Sequence, residues 1–319
     1  MLENYVKCIL GTIDILCCAN MSDFLIPRIM GVINCTPDSF FAESRSENAE
    51  AAFLNGISMM KEGVEILDIG GESSRPGSAE VDEDEQIKRV IPVIQRIREV
   101  SEIPISIDTR SARVAERALD TGADIINDIS ALRQDKRMAS LAAEREVPVV
   151  LMHMRGTPTT MQLHPRYHDP IREIRDALLR FADRAMDAGI SKEDIILDPG
   201  IGFGKRLEDN LALIAKIDQW RPEGFLIMVG LSRKTFLGQL IDSENQRSAD
   251  YYMNLISNTE FGKSEANSEI AKSVPEDRLI ATCAANIWCT AKGVDILRVH
   301  DVKVARQLIA VWEAFSWAS

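Results

Sequence analysis

Polar residues stand at or just beyond the ends of eight short apolar runs: Asn34, Asp68, Asp108, Asn127, His153, Asp198, Lys234, and the pair Arg298 and His300. Carboxylates and amides in one pocket would pair the donors and acceptors of a polar ligand, and arginine suits an anionic one. A single polar residue after a strand is ordinarily a turn former or a helix cap. Eight strand ends of this kind point to a common cause. The four histidines, at 153, 164, 168 and 300, form no HExxH or other zinc-like cluster, and the six cysteines form no CxxC pair. The spacing therefore carries neither a zinc nor a dithiol signature, and the cysteines read as reduced thiols of a cytoplasmic protein.

Positioning these residues requires strands that end together. The runs are 29–34, 64–69, 103–108, 123–128, 147–152, 194–198, 225–230 and 295–299. They are rich in Ile and Val and continuous rather than alternating, as in a parallel sheet covered on both faces. Amphipathic stretches lie between them. Ile87, Val90, Ile91, Ile94 and Ile97 repeat at helical spacing, and so do Ile171, Ile174, Leu178, Phe181 and Ala185 behind an Asp169 cap and Pro170. Pro92 inside the first helix is an objection, since it removes a backbone donor. A last helix is expected over about 302–315.

A faint repeat marks the other end of the strands. Gly63-Val-Glu, Gly122-Ala-Asp and Gly293-Val-Asp each place a glycine at a helix exit, where the left-handed conformation favours it, followed by an acid and a strand. Eight strands with intervening helices predict one closed (β/α)8 barrel over 28–319, with an N-terminal extension at 1–27 and an irregular insertion near 239–275. An open doubly wound sheet is the rival. It would carry a GxGxxG after the first strand, and none is present.

Composition agrees with a folded chain: 319 residues, 45% hydrophobic and 27% charged. The 37 Lys plus Arg against 49 Asp plus Glu leave a net charge of −12, which disfavours nucleic acid or an anionic membrane as partner. A small anionic substrate stays possible where basic residues concentrate. The apolar stretch from Val6 to Ala19 contains Asp14 and is followed by no cleavage triplet, so it does not read as an export signal.

The motifs INCTPDSF (33–40), DIGGESSRPG (68–77), SIDT (106–109), GADIINDI (122–129), LMHMRGTP (151–158), ILDPGIGFGK (196–205), GLSRKTFLG (230–238) and RVHDV (298–302) resemble, in this order, those of the dihydropteroate synthase family. The resemblance covers about 28–315. It implies a TIM barrel that joins 6-hydroxymethyl-7,8-dihydropterin diphosphate to 4-aminobenzoate and releases diphosphate. It further implies Mg2+, a homodimer, and competition by sulfonamides.

By that resemblance Asp108, Asn127, Asp198 and Lys234 recognise the pterin. Asn34, Arg75, Arg298 and His300 bind the diphosphate, with Arg75, Lys234, Arg298 and His300 the catalytic set and Asn34 also a ligand of Mg2+. Thr36, Pro37, Phe40, Ser74, Arg75, Phe203, Ser232 and Lys234 line the 4-aminobenzoate pocket. A carboxylate can accept two hydrogen bonds from a ring N–H/NH2 edge, and an amide both donates and accepts. No residue is expected to act as a covalent nucleophile. The dimer surface is sought among apolar residues of the late helices, such as Trp312 and Trp317.

The sequence departs from the family pattern after NCTPDSF, where FAESRSEN replaces the common SDGG-like continuation, and at Ser74, where Thr is frequent. A pterin-binding methyltransferase and a non-catalytic pterin binder are the rival functions. The first has no need of a diphosphate clamp, and the second would bind the pterin diphosphate without turnover.

Overall fold

The computed structural model describes residues 26–36, 45–73, 77–163, 165–257 and 272–318. Eight parallel strands close into a barrel in chain order: β1 (Arg28–Asn34), β2 (Ile66–Gly70), β3 (Ile105–Asp108), β4 (Ile125–Asp128), β5 (Val149–Met152), β6 (Ile195–Asp198), β7 (Leu226–Val229) and β8 (Ile296–Val299). β8 pairs back onto β1, with Met30 opposite Arg298. The expected strands are all present, and the open sheet is excluded by the closure.

Side chains alternate about each strand. Met30, Ile66, Ile125, Val150, Ile196, Met228 and Ile296 meet inside the barrel as an apolar plug. Their strand neighbours, among them Ile29, Leu67, Ile105, Ile126, Val149, Leu197 and Leu297, face outward into a larger core shared with the helices. Both faces are thus buried, which is why the runs are continuously apolar.

The helices are α1 (Arg45–Lys61), α2 (Glu83–Arg98), α3 (Ala112–Thr121), α4 (Arg137–Arg145), α5 (Pro170–Asp187), α6 (Leu207–Ala215), α7 (Ile217–Trp220), α8 (Thr235–Ser257), α9 (Leu279–Ala291) and α10 (Val302–Ala318). α2 runs through Pro92 and buries Val90, Val93, Ile94 and Ile97. Burial of that stripe outweighs the one donor that proline removes. α5 begins as expected, with the Asp169 side chain accepting the Arg172 N–H at 3.1 Å.

The stretch near 239–275 differs from the expectation of irregularity. Its first half continues from Thr235 as the 23-residue helix α8. Ser and Asn there lower helix propensity only by tenths of a kcal/mol each, and no Pro or Gly interrupts 239–257. The later part, 258–271, lies outside the described residues, as do the extension to position 25 and Trp317's side chain.

The faint sequence repeat has a structural cause. Glu65, Asp124 and Asp295 each accept the backbone N–H near the start of the preceding strand: Ile29 at 2.9 Å, Ile105 at 2.8 Å and Ile227 at 2.7 Å. An arginine closes each clasp. Arg98 donates to Gly122 O and to Asp124, Arg221 to Gly293 O and to Asp295, and Arg306 to Gly63 O with Glu65 3.6 Å away. The three glycines have φ of +88°, +110° and +72°, and a Cβ on any of them would press on its arginine at 3.0–3.2 Å. Gly-x-acid is therefore a strand-start clasp at the barrel floor, remote from the strand ends where barrel enzymes place their chemistry.

Candidate active site

Above the apolar plug the inward positions turn polar. Asp68 follows Ile66, Asn127 follows Ile125, Asp198 follows Ile196 and Arg298 follows Ile296, each two residues further along its strand and so on the same face. Asn34 stands likewise beyond Met30 on β1, and Asp108 beyond Ser106 on β3.

These side chains meet. Arg298 donates from Nε to Asp68 Oδ2 at 2.6 Å and from Nη2 to Asp108 Oδ2 at 2.7 Å. Asn127 Nδ2 donates to the two Asp68 oxygens at 3.3 and 3.2 Å. Asn127 Oδ1 and Ser106 Oγ are buried with no hydrogen bond, and an orphan acceptor of this kind calls for a ligand donor or a water.

Burial sets the electrostatics of the cluster. It pushes the Asp108 and Asp198 carboxyls above their usual range, against the pull of Arg298 on the first and Lys234 on the second. Burial also works against the charge of Arg298, but Asp68 and Asp108 more than restore it, so the guanidinium stays cationic. Lys234 is pushed down to about 8 by burial, with Asp198 opposing. Its Nζ donates to Ile201 O and stands 4.6 Å from the centre of the Phe203 ring.

The loops beyond the strands are tied to one another. Ser232, after β7, accepts the His300 N–H at 3.2 Å and lies 3.1 Å from His300 Nδ1. Its neighbour Arg233, held at φ +58°, forks onto Asp301 at 3.0 and 2.6 Å. On the opposite side Arg110, after β3, binds Glu72, after β2, at 2.6 Å, and Gln134 at 2.6 Å.

Of the residues singled out in the sequence, Asp68, Asp108, Asn127, Asp198, Lys234 and Arg298 come together at this rim, and Asn34, Phe203, Ser232 and His300 stand around it. Thr36 ends the described part of the first loop. Pro37, Phe40, Ser74 and Arg75 lie outside the described residues.

His153 does not face the cavity. Met152 takes the inward place, and the His153 ring packs outward, 6.1 Å from Tyr167 and 6.4 Å from Phe181. Burial, then the nearby Lys205, holds that imidazole neutral, well below its ordinary value. Sequence reasoning put Asp68 among the strand-end residues without a specific role, and gave none to Lys205, Arg233 or Asp301. Asp68 and Lys205 were visible as charges bordering apolar or Gly-rich stretches. Arg233 and Asp301 are each other's partners 68 positions apart, and that separation carries no local signal.

A parallel barrel whose strand ends converge in a charged, part-satisfied polar cluster has the build of a barrel enzyme's substrate site. The family model described as pterin binding enzyme matches residues 30–300, and the chain belongs to that family. It is 37% identical over 286 residues to the dihydropteroate synthase of Synechocystis sp., covering 90% of this chain and 89% of that one. Among solved structures, Xanthomonas albilineans dihydropteroate synthase with 4-aminobenzoic acid superposes with a TM-score of 0.76 at 36% identity, over 91% of this chain and 93% of that chain. Yersinia pestis dihydropteroate synthase in a sulfonamide drug complex gives 0.78 at 34% identity, over 92% and 96%.

Proposed function

We propose that this chain is a dihydropteroate synthase, a transferase that condenses 6-hydroxymethyl-7,8-dihydropterin diphosphate with 4-aminobenzoate to give 7,8-dihydropteroate and diphosphate. The observation that carries this reading is the meeting of Asp108, Asn127 and Asp198 with Arg298 and Lys234 at one rim. A pterin edge offers N–H and NH2 donors in one plane. In this reading Asp108 Oδ1, Asp198 and the orphan Asn127 Oδ1 are the acceptors that would pair them. Leaving such a ligand edge unpaired would cost about 1–3 kcal/mol per group, so the cluster selects for it.

The diphosphate needs cations. Arg298 spends Nε and Nη2 on the two aspartates, which leaves Nη1 with no hydrogen bond among the described residues and available to a phosphate oxygen. His300, fixed by Ser232, stands at the end of the same strand and would donate to the leaving oxygen. Arg75 is the further cation of this reading. Bond breaking to the diphosphate precedes attack: the electron-rich dihydropterin spreads the positive charge left on its exocyclic methylene, and the cations neutralise the departing group. The arylamine is largely unprotonated near neutral pH and needs no general base. The attacking nitrogen gives up its proton to solvent or to the released diphosphate.

Mg2+ belongs to this reading as an ion shared with substrate. Among the described residues no group of three His, Cys, Asp or Glu could cage a metal. Asn34, half-buried at the end of β1, offers one amide oxygen, which suits an ion whose other ligands are phosphate oxygens and water. Bound there, the ion would add to the charge neutralisation of the diphosphate.

A homodimer in the cytoplasm completes the proposal. Cys35, Cys283 and Cys289 are free thiols, and no described helix is long and apolar enough to cross a membrane. Among the described side chains of α10 the exposed large apolar residues are Val311 at 52% and Phe315 at 71%, whereas Trp312 is half-buried, so the former pair is the better candidate for a subunit contact.

A diphosphate-release assay with and without 4-aminobenzoate and Mg2+ tests the function. Release that requires both is expected, and its loss by at least about 100-fold in Asp108→Asn and in Arg298→Ala. Full activity in Arg298→Ala would count against the assigned clamp.

A further inference from the structure

The loop after β6 has an unusual backbone. Gly200, Gly202 and Gly204 have φ of +65°, +84° and +60°, alternating with Ile201 and Phe203. A Cβ at Gly200 would meet His153 O at 2.0 Å, and one at Gly204 would meet Arg155 O at 2.9 Å, so the loop is pressed against the β5 loop where no side chain fits. This alternation points successive carbonyls at different neighbours.

Every one of those five carbonyls accepts a hydrogen bond from a side chain. Lys205 Nζ donates to Gly200 O at 2.8 Å and to Phe203 O at 3.0 Å, Lys234 Nζ to Ile201 O, Gln162 Nε2 to Gly202 O at 3.0 Å, and Tyr167 Oη to Gly204 O at 2.9 Å. Lys205 holds the centre. Its Nζ also reaches His153 O at 3.2 Å and His153 Nδ1 at 3.0 Å, which joins the β6 loop to the end of β5.

Lys205 is 4% exposed and makes no ion pair among the described residues. Burial pushes its pKa well below the ordinary lysine value. A buried lysine with no carboxylate within ion-pair distance is costly, and an apolar side chain would fill the space more cheaply. What the lysine adds is one nitrogen whose N–H groups converge on the carbonyls of Gly200, Phe203 and His153.

The loop so held carries Phe203. Its side chain packs against the cluster of Ile129, Met152, Met154 and Met161 and has Lys234 Nζ 4.6 Å from the ring centre. We propose that Lys205, with Gln162 and Tyr167 in support, is a positioning residue that fixes the 200–204 backbone and thereby the place of the Phe203 ring against the arylamine. This rests on the reading of Phe203 as a wall of the 4-aminobenzoate pocket. Lys205 touches no substrate in this account; it acts through the loop.

The test uses the full-length protein with two independent readouts. Steady-state kinetics with each substrate varied separately are compared for wild type, Lys205→Gln, Lys205→Arg and Gln162→Met. Lys205→Gln is expected to raise the KM for 4-aminobenzoate about tenfold or more, while the KM for the pterin diphosphate stays within about threefold. Lys205→Arg should recover part of the loss, and Gln162→Met should shift the same KM about two- to threefold. The second readout is the 19F resonance of fluorophenylalanine at Phe203, expected as one sharp line in wild type and broadened or split in the variants.

An unchanged 4-aminobenzoate KM in Lys205→Gln, or an equal rise in both KM values with a single sharp 19F line, overturns the proposal. Should Lys205→Gln fail to fold, Gln162→Met at an exposed position decides, and unchanged KM and line shape there overturn it. A wild type that releases no diphosphate with 4-aminobenzoate defeats the functional reading instead. The 19F comparison of wild type with Gln162→Met then still decides whether the loop is held.

Discussion

Arg298 and Asp108, 190 positions apart in the chain, meet at 2.7 Å inside the barrel mouth. The same guanidinium binds Asp68, so one cation serves two carboxylates from adjacent strands. The cluster is nearly complete before any ligand arrives. Among the described residues its open valences include Arg298 Nη1, Asp108 Oδ1 and Asn127 Oδ1, which a pterin diphosphate would take up.

Asp68→Asn removes the more buried partner of Arg298. Stability should fall by roughly 2–3 kcal/mol, below the roughly 3–5 of a buried pair broken outright, because Asp108 still pairs with the guanidinium. Urea unfolding measures this. A variant as stable as wild type would show that Asp68 contributes nothing net to the cluster.

Lys234 gives the pH dependence a sign. In the free protein it loses its proton near 8, so kcat/KM for the pterin diphosphate should fall as pH rises through about 8. Lys234→Arg keeps its charge, and its alkaline limb should move upward even if the overall rate drops. Stability runs oppositely for this one group. The unfolded lysine titrates near 10.5, so between about 8 and 10.5 the unfolded chain binds more protons and Lys234 makes stability rise with pH. A pH–rate profile flat between 7 and 9 would remove Lys234 from the substrate-binding set.

Asp124→Ala at the barrel floor should separate folding from catalysis. It frees the Ile105 N–H and Arg98, costing about 1–3 kcal/mol, while kcat at a permissive temperature stays near wild type. Thermal melts beside rate measurements check both halves. A large loss of kcat with an unchanged melting temperature would contradict the assignment of this clasp to stability.

Asp301→Asn breaks a half-exposed ion pair, so its effect on stability should stay within about 1 kcal/mol. Arg233 would nevertheless lose the partner that fixes the turn between Ser232, which binds His300, and Lys234. A fall of about tenfold in kcat/KM for the pterin diphosphate is expected, with little change in the melting temperature. Equal kinetics would show that the Ser232–His300 contact holds alone.

The strands were legible because each is covered on both faces, and Asp108, Asn127 and Asp198 stood out as charges or amides closing an apolar run. His153 was misplaced by one residue of phase: with Val150 inside the barrel, position 152 shares its face and 153 cannot. α8 was hidden because its polar residues suggested a loop although nothing in 239–257 breaks a helix. Lys205 could be seen, but its meaning depends on carbonyl directions set by left-handed glycines, which spacing does not encode. The bond between Arg298 and Asp68 spans 230 positions and emerges only when the barrel closes.

The floor clasps join β1 to β2, β3 to β4 and β7 to β8, and the described residues show none joining β5 to β6. Of the four pairs that join an odd strand to the even strand after it, three are therefore stapled at the floor, and the β5–β6 pair, directly beneath the loops that Lys205 ties together, shows no staple among the described residues. Opening motions of the sheet should begin at that pair, where Asp194 faces Pro148 and finds no N–H to accept, with the Val149 amide exchanging with solvent deuterium sooner than those of Ile29, Ile105 and Ile227. The buried lysine would then serve as the seam's fastening at the upper end, in a place where the lower end has no stitch.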